Sequence, residues 1–375
     1  MANIGEKLLG WFDEHQRTHL PWRTIADPYR VWVSEIMLQQ TRVETVIPYF
    51  NRFMESLPDV RALAACPEDR LLKLWEGLGY YSRARNLQKA AKKIVEDDQG
   101  LIPGDYDRLV GLPGIGPYTA GAIASIAFQL PRIAADGNAY RIAARLTKEE
   151  GFLEDTATKR RLEDFLRDQL PVDRPGDFNQ ALMDLGSSVC IPKGTPLCSA
   201  CPLRDDCSTG RVGTAENYPR RKEKKKRRIE EYTVFLFERE GRMLLVRRPS
   251  TGLLSGMWSL PMKLGIMKTE EVDRLLEAEL KDYELTGLGS YKHIFSHVEW
   301  HMTGYRVEIS SSAFASPSFL AEDAAGYMGG DWSRLLSVSE EEGDDFAWSH
   351  DREIISHYSI PSAYSYFLEE AVRED

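Results

Sequence analysis

The sequence predicts two domains of different fold class, an all-α domain followed by a smaller α+β domain. From residue 4 to about residue 207, apolar residues recur at helical spacing of three and four, interrupted by Pro and Gly. Further along, alternating stretches such as "YTVFLFER" and "RMLLVRRP" are typical of strands. Between them, "RRKEKKKRR" (220–228) holds eight basic residues and one acid, as expected of an exposed linker. We therefore expect domains at 1–218 and 231–375, joined by a linker at 219–230.

Each predicted element rests on one of these two periodicities. In the first domain, the helical pattern is clearest at 8–15, 31–49, 71–80, 84–97, 120–128, 138–146, 158–170 and 178–189, with a short helix at 106–112. In the second domain, strand patterns dominate, and helices are predicted near 270–280 and 361–372.

We expect a folded protein of the cytoplasm, nucleoid-associated if bacterial. The 375 residues are 42% hydrophobic, enough for two cores. No apolar run reaches the length of about 18 to 20 residues that a membrane span requires. Residues 1–20 lack the basic start and apolar stretch of a signal peptide.

Charge is distributed unevenly, which bears on DNA as a partner. The chain has a net charge of −10, and residues 229–375 hold 13 Lys and Arg against 27 Asp and Glu. Because DNA affinity comes largely from neutralised phosphates, any DNA-binding face must be local. The basic run is either a strap that binds phosphate or a solvated linker, and the sequence does not decide between them.

The stretch "LPGIGPYTAG" (112–121) predicts a tight hairpin between two helices. Gly114 and Gly116 allow the backbone to turn and expose N–H groups where the next helix begins. Such groups, together with the positive end of the helix dipole, favour an anionic oxygen. An ordinary turn between helices remains the alternative.

Two carboxyl groups stand in contrasting surroundings, one that favours the protonated form and one that favours the ionised form. Glu35 lies in the apolar helix "VWVSEIMLQQT", where desolvation raises the pKa as a general acid requires. Asp136 stands ahead of a helix in "DGNAYRIAARL", where the dipole and N–H groups favour the ionised form. An ordinary surface Glu and an ordinary N-cap Asp are the structural alternatives.

Four of the five cysteines lie within 18 residues, in "CIPKGTPLCSACPLRDDC". Cys190, Cys198, Cys201 and Cys207 are separated by seven, two and five residues. Clustering without a secretion signal indicates a metal or cluster site rather than disulfides. Thiolates hold zinc or an iron–sulfur cluster, and the ligand count does not choose between them.

These motifs together resemble the helix-hairpin-helix DNA glycosylase superfamily that includes endonuclease III, and within it the adenine DNA glycosylase (MutY) family. "LVGLPGIGPYTAGAIA" resembles the hairpin whose amides hold a DNA phosphate, often with a bound cation. Bifunctional members place a nucleophilic Lys at the position of Tyr118. The resemblance therefore implies a mainly monofunctional DNA N-glycosylase, a base excision repair enzyme that hydrolyses the bond to adenine mispaired with 8-oxoguanine or guanine.

The resemblance also assigns residues. In "SE-ML-QQT" and "DGN" it makes Glu35 the acid that protonates adenine and Asp136 the group that stabilises the sugar cation, with a transient covalent sugar–Asp136 bond as an option. Supporting groups fall into three sets: Tyr118 and Asn138 beside the carboxyls, Trp22, Arg23 and Gln180 around adenine, and Gln40, Thr41, Leu78, Gly79 and Tyr80 near the opposite base.

For the cysteines, the resemblance implies a [4Fe–4S] cluster, which in this superfamily has a spacing of six, two and five. This chain has one residue more in the first loop, where Gly194 and Pro196 can absorb an insertion. Zinc, or loss of the cluster, is the alternative. We expect the cluster to support a DNA-facing basic loop rather than to take part in the reaction.

The second domain resembles the Nudix fold at "GRMLLVRRPSTGLLSGMWSLP". Its acidic stretch "TEEVDRLLEAEL" lacks the R-E-x-x-E-E arrangement that holds metal in Nudix hydrolases, so hydrolysis of nucleotides is disfavoured. In "HIFSHVEWH", Phe295, Ser296 and His297 match the family's F-S-H loop. Through that match, the hydroxyl and imidazole are expected to recognise the N7–H of 8-oxoguanine.

Three other functions remain as alternatives. An endonuclease III-like glycosylase/lyase for oxidised pyrimidines is disfavoured by Tyr118, and a Nudix-type nucleotide hydrolase by the missing Glu set. A non-catalytic module would bind mispairs and leave adenine in place. We expect a monomer that acts on double-stranded DNA, without nucleotide or flavin cofactor.

Overall fold

The computed structural model describes residues 4–373, except for 224–225, 250, 279, 281, 311–341 and 344–345. It divides into two compact units. One comprises Met1–Leu74 and Ser82–Lys224, and the other comprises Trp75–Tyr81 and Lys225–Asp375. No helix among the described residues has the length and apolar character needed to cross a membrane.

The first unit is helical. In chain order its helices are α1 (Ile4–His15), α2 (Pro28–Leu38), α3 (Val43–Ser56), α4 (Val60–Ala65), α5 (Glu68–Trp75), α6 (Ser82–Asp98), α7 (Tyr106–Val110), α8 (Pro117–Phe128), α9 (Gly137–Thr147), α10 (Thr156–Asp168) and α11 (Pro175–Ser188). Helix α8 is apolar on every side and packs against α2 and α11, while α9 packs against α10 and α11.

Two predicted helices differ from the structure. The single helix expected at 31–49 is two, because the chain turns at Gln40 with φ 60° and α3 starts only at Val43. The break is stabilised by Arg83, whose guanidinium donates to the carbonyls of Ile36, Met37 and Gln39 at the end of α2. The helix expected at 71–80 ends at Trp75, since Gly77 and Gly79 adopt positive φ.

The start of the basic run is held against the first unit. Arg220, Arg221 and Lys222 pair with Glu150, Glu154 and Asp155, at 3.1, 3.5 and 2.6 Å respectively. The backbone N–H of Leu153 also donates to the carbonyl of Arg220. These three cations already have carboxylate partners, which supports the linker interpretation for this part of the run.

The second unit is built on a mixed sheet. Its strands are β1 (Arg228–Arg239), β2 (Arg242–Arg247), β3 (Trp258–Ser259), β4 (Met262–Leu264), β5 (Tyr283–Ile294), β6 (Val298–Ile309), β7 (Glu342–Gly343) and β8 (Phe346–Ser349). The order is β5-β6-β1-β2-β8-β7, with β3 beside β2 and β4 beside β1. Helices α12 (Thr269–Glu277), α13 (Asp351–His357) and α14 (Ser365–Arg373) complete it.

Strand β1 lies in the middle of this sheet, and its residues 232–237 are buried on both faces. It runs parallel to β6, with Tyr232 opposite Met302, and antiparallel to β2 and β4. Val234 and Leu236 pack in one core with Phe367, whereas Phe235 and Phe237 pack in the other. The period of two in "YTVFLFER" therefore fills two hydrophobic layers instead of one.

Candidate active site

A cavity of about 500 Å³ in the first unit brings together the predicted catalytic and adenine-pocket residues. Its walls include nine of the predicted site residues: Trp22, Arg23, Glu35, Gln40, Thr41, Tyr118, Asp136, Asn138 and Gln180. They come from α2, α8, α9, α11 and the segments between helices. Residues distant in sequence are brought together because α8 lies between α2 and α11.

Glu35 lies in α2 and is buried, with 5% of its surface exposed. The helix is fixed at its start by Asp27, which accepts the N–H of Arg30, and by Pro28. Burial raises the pKa of Glu35 to about 7; a hydrogen bond from the Tyr118 hydroxyl lowers it, nearby Asp136 raises it, and the charge of Arg23 lowers it. Near neutral pH a large fraction of Glu35 is therefore a protonated acid.

Asp136 is the N-cap of α9. Its Oδ1 accepts the N–H of Ala139 at 2.8 Å, and its Oδ2 accepts Nδ2–H of Asn138 at 2.6 Å. The expected capping position is observed, but the expected direction of the pKa is wrong. Burial raises the pKa of Asp136, and the bonds from Ala139 and Asn138 only oppose that effect.

Tyr118 occupies the first turn of α8, just after the glycine hairpin. Gly116 is the N-cap and Pro117 follows it. Gly114 has φ +75°, and a Cβ there would lie 2.6 Å from the Cβ of Asn86; a Cβ on Gly116 would meet nothing within 4 Å. Gly114 is thus required by the turn itself, whereas Gly116 borders open space that an anionic group can enter.

Helix α9 links the cavity to the cysteine segment, a connection that sequence reasoning missed. Oδ1 of Asn138 accepts a hydrogen bond from Arg141 at 2.7 Å, and Arg141 Nε donates to the carbonyl of Cys190 at 2.8 Å. One turn later, Arg145 donates to Sγ of Cys190 at 3.1 Å. The sequence signal for this connection was the spacing of Arg141 and Arg145, which follow "DGN" and, being four residues apart, lie on one face of the helix.

The four predicted cysteine ligands surround one small cavity of about 30 Å³. These ligands are Cys190, Cys198, Cys201 and Cys207. Gly210 donates its N–H to Sγ of Cys207 at 3.2 Å, and an added Cβ at Gly210 would lie 3.9 Å from Sγ of Cys198. In the part of the chain that the structure describes, no three His, Cys, Asp or Glu side chains converge as ligands of a single ion. Four thiols around one shared cavity are a ligand set that suits either an iron–sulfur cluster or a zinc ion.

In the second unit, the predicted F-S-H residues form the turn between β5 and β6. The N–H of Phe295 donates to the carbonyl of Val298 at 2.9 Å, and the Phe295 ring packs edge-on against Trp300. Ser296 and His297 are exposed. The segment Trp75–Tyr81 belongs to this unit, and within it the hydroxyl of Tyr80 is hydrogen-bonded to that of Ser296.

The remaining candidates near the opposite base lie in that same segment. Gly79 and Tyr80 adopt left-handed backbone conformations with φ of 68° and 48°. Tyr80 is 46% exposed, whereas Leu78 is buried. Of these side chains, Tyr80 therefore has the accessible ring that stacking on a base requires.

Comparison with known proteins agrees with this architecture. Residues 33–168 match the model of the HhH-GPD superfamily base excision DNA repair proteins, and residues 232–370 match the NUDIX domain. A solved thermostable thymine-DNA glycosylase is 25% identical with a TM-score of 0.51, covering 56% of this chain and 95% of that chain. These matches define the class of a DNA N-glycosylase with a Nudix-like domain, and they confirm both predicted fold classes.

Among full-length relatives, the adenine DNA glycosylase of Mus musculus is 36% identical over 351 residues, 78% of this chain and 68% of that protein. The enzyme of Buchnera aphidicola (from Acyrthosiphon pisum, strain APS) is 33% identical over 299 residues, 80% of this chain and 85% of that protein. The enzyme of Schizosaccharomyces pombe is 30% identical over 370 residues, 78% and 79% of the two chains. The chain belongs to the adenine DNA glycosylase family, as its motifs predict.

Proposed function

We propose that this protein takes adenine out of an 8-oxoguanine:adenine or guanine:adenine mispair in duplex DNA and hydrolyses its glycosidic bond without forming an obligatory Schiff base. One observation carries the proposal. A single cavity of about 500 Å³ holds a buried Glu35 with a pKa of about 7, its Tyr118 donor, and Asp136 on the N-terminus of α9.

Glu35 is the general acid. A base leaves deoxyribose readily only when its ring accepts a proton, and burial keeps that proton on Glu35 near neutral pH. The Tyr118 hydroxyl donates to Oε2 of Glu35, which fixes the orientation of the carboxyl group. Once Glu35 has given up its proton, the same hydrogen bond stabilises the carboxylate.

Asp136 stabilises the sugar. As the C–N bond breaks, its electron pair leaves with the protonated adenine, and C1′ becomes an oxocarbenium-like cation. A carboxylate held by Ala139 N–H and Asn138 Nδ2 opposes that charge. Water then adds its oxygen to C1′ and passes a proton to the Glu35 carboxylate, so that the products are adenine and an abasic site and the acid is restored.

The cavity supports a mainly monofunctional enzyme. A lyase needs an amine nucleophile on the sugar, and Tyr118 stands at the position that the resemblance gives to that amine. Among the described residues that line the cavity, none is Lys. The chemistry available there is hydrolysis.

The four cysteines are proposed to hold a [4Fe–4S] cluster. Cys190, Cys198, Cys201 and Cys207 supply the thiolates, and Arg145 and Gly210 donate to two of the sulfurs. When bound, the group provides a cross-link that orders residues 190–207. It takes no part in the cleavage proposed here.

Recognition of DNA is divided between the two units. We assign residues 1–218 to catalysis, 219–230 to the linker and 231–375 to the check of the opposite base, in which Trp75–Tyr81 also take part because this segment belongs to the second unit. The hairpin at Gly114 and Gly116 offers N–H groups to a phosphate, with a cation as an additional ligand. Exposed Ser296 and His297 can bond to the N7–H that distinguishes 8-oxoguanine from guanine.

The proposal is tested by the identity of the released base. Protein with intact iron content is incubated in excess over duplexes carrying adenine opposite 8-oxoguanine, guanine or thymine, and a duplex with an oxidised pyrimidine. We expect adenine to be released fastest opposite 8-oxoguanine, more slowly opposite guanine and slowest opposite thymine. Borohydride should trap no obligatory Schiff-base adduct during this release. Release of the oxidised pyrimidine with efficient trapping contradicts the proposal in favour of a lyase.

A further inference from the structure

Asp184 forms a buried ion-pair network that the proposed reaction has not yet used. It lies in α11, and 2% of its side chain is exposed. Its carboxylate accepts hydrogen bonds from both terminal nitrogens of Arg23, at 2.6 and 3.0 Å, and from Nε of Arg17 at 2.7 Å. One carboxylate thus binds two guanidinium groups, one of them in the fork-like geometry that is strong and directional.

The two arginines lie in the walls of the proposed active site, whereas Asp184 is not one of its lining residues. Arg17 and Arg23 both face the cavity that contains Glu35. Asp184 follows Gln180 by one turn of α11, so it anchors these cations from behind the wall. The arrangement fixes where two positive charges lie in the wall of the cavity that contains Glu35.

Positive charge near Glu35 opposes its function. A cation stabilises the carboxylate form, and the reaction needs the protonated form. The titratable or charged groups that act on Glu35 are Tyr118 from α8, Asp136 at the start of α9, and Arg23 from the segment before α2. Of these, Arg23 is the cation, and its charge lowers the pKa of Glu35.

We propose that Asp184 is a positioning residue for adenine excision: it holds the guanidinium groups of Arg17 and Arg23 against the cavity wall, and thereby keeps Glu35 in its proton-donating form. This inference rests on the proposed role of Glu35. With its carboxylate partner removed, Arg23 loses the group that satisfies both of its terminal nitrogens. The carboxyl groups with which Arg23 can then pair are those of Glu35 and Asp136, which line the same cavity.

The test is the pH dependence of single-turnover adenine release by D184N, which keeps the size of the side chain and removes its charge. The alkaline limb of the profile moves to lower pH, since Glu35 loses its proton more easily. Each pH unit of displacement costs about tenfold in rate above the midpoint. We expect at least a threefold loss at pH 8, in contrast to near-native release at pH 5.5.

Two further variants separate a charge effect from a folding defect. Breaking a buried ion pair is destabilising, so each profile is normalised to its own acid plateau, which a reduced folded fraction does not displace. D184E, which restores the carboxylate, moves the midpoint back toward the native value. D177N is the matched control. Asp177 lies on the same helix, its Oδ2 is 2.8 Å from Nε of Arg174, and neither residue lines the cavity.

A double-mutant cycle identifies the route. If Asp184 acts through Arg23, D184N displaces the midpoint in the native background and leaves it unchanged in R23M. A rate that falls equally at every pH, or a displacement that persists in R23M, overturns the inference. Failure of the underlying function is seen separately, since then native protein releases no adenine or E35Q releases it normally.

Discussion

The hydrogen bond from Tyr118 to Glu35 gives a quantitative prediction for Y118F. This change removes one hydroxyl and keeps the aromatic ring. In the native protein that hydroxyl donates to Oε2 of Glu35 and lowers its pKa, which burial has raised to about 7. Without the donor, the ionised form of Glu35 is less stable, and its pKa rises.

The size of the effect follows from the type of bond. A hydrogen bond to a charged group contributes about 1.5–3 kcal/mol, and about 1.4 kcal/mol corresponds to one pH unit in a titration midpoint. The alkaline limb of adenine release should therefore move upward by about one to two pH units. At pH 8 the native enzyme keeps about a tenth of its acid plateau, and Y118F keeps about half or more of its own.

The assay is single-turnover release of adenine from an 8-oxoguanine:adenine duplex between pH 5 and 9.5, with each profile normalised to its plateau. Y140F is a matched control, because the Tyr140 hydroxyl donates to Glu163 and does not line the cavity. A Y118F midpoint that stays in place, or moves to lower pH, refutes the assignment of Glu35 as the acid held by Tyr118.

Three further predictions concern stability. Because the pKa of Glu35 rises from 4.5 to about 7 on folding, the native protein loses stability as pH increases between those values. In urea unfolding, E35Q should therefore be as stable as the native protein at pH 4 and more stable by about 3 kcal/mol at pH 8. Equal stability of the two proteins at both pH values contradicts this prediction. G114A should lose more than about 1 kcal/mol, since its φ is +75° and its Cβ would meet Asn86, whereas G116A should unfold at the native denaturant concentration; similar midpoints for both refute the hairpin geometry. K222M should change the free energy of unfolding by less than about 1 kcal/mol, because both partners of the Lys222–Asp155 pair are exposed; a larger loss in calorimetry contradicts this and makes the pair part of what stabilises the fold.

Much of the candidate site was accessible from sequence because its residues stand in short local motifs. "SEIMLQQT" and "DGN" carry their own helix and cap signals, and the cavity collects Glu35, Gln40, Thr41, Asp136 and Asn138 from them. The cysteine spacing likewise predicted a shared site, and the four thiols line one cavity. Local periodicity also located most helices and the strands of β1 and β2.

What sequence reasoning missed depends on contacts between distant elements. Nothing near residue 39 announces the break between α2 and α3; Arg83, more than forty residues later, supplies the donors for the carbonyls there. The role of Asp184 is also invisible locally, because its partner Arg23 is 161 residues away. For Asp136, the helix terminus favoured ionisation as expected, but the extent of burial, which decides the direction, is a tertiary property.

The most direct test of the proposed chemistry follows the adenine in a bound duplex when Glu35 is replaced by Gln. Native protein and E35Q are given the same 8-oxoguanine:adenine duplex; binding is measured first, and free adenine is then measured in a single turnover. We expect equal binding, adenine from the native enzyme, and none above background from E35Q at any pH. Adenine release by E35Q at a rate near native, or native protein that binds and releases nothing, contradicts the assignment of this cavity as the site of excision.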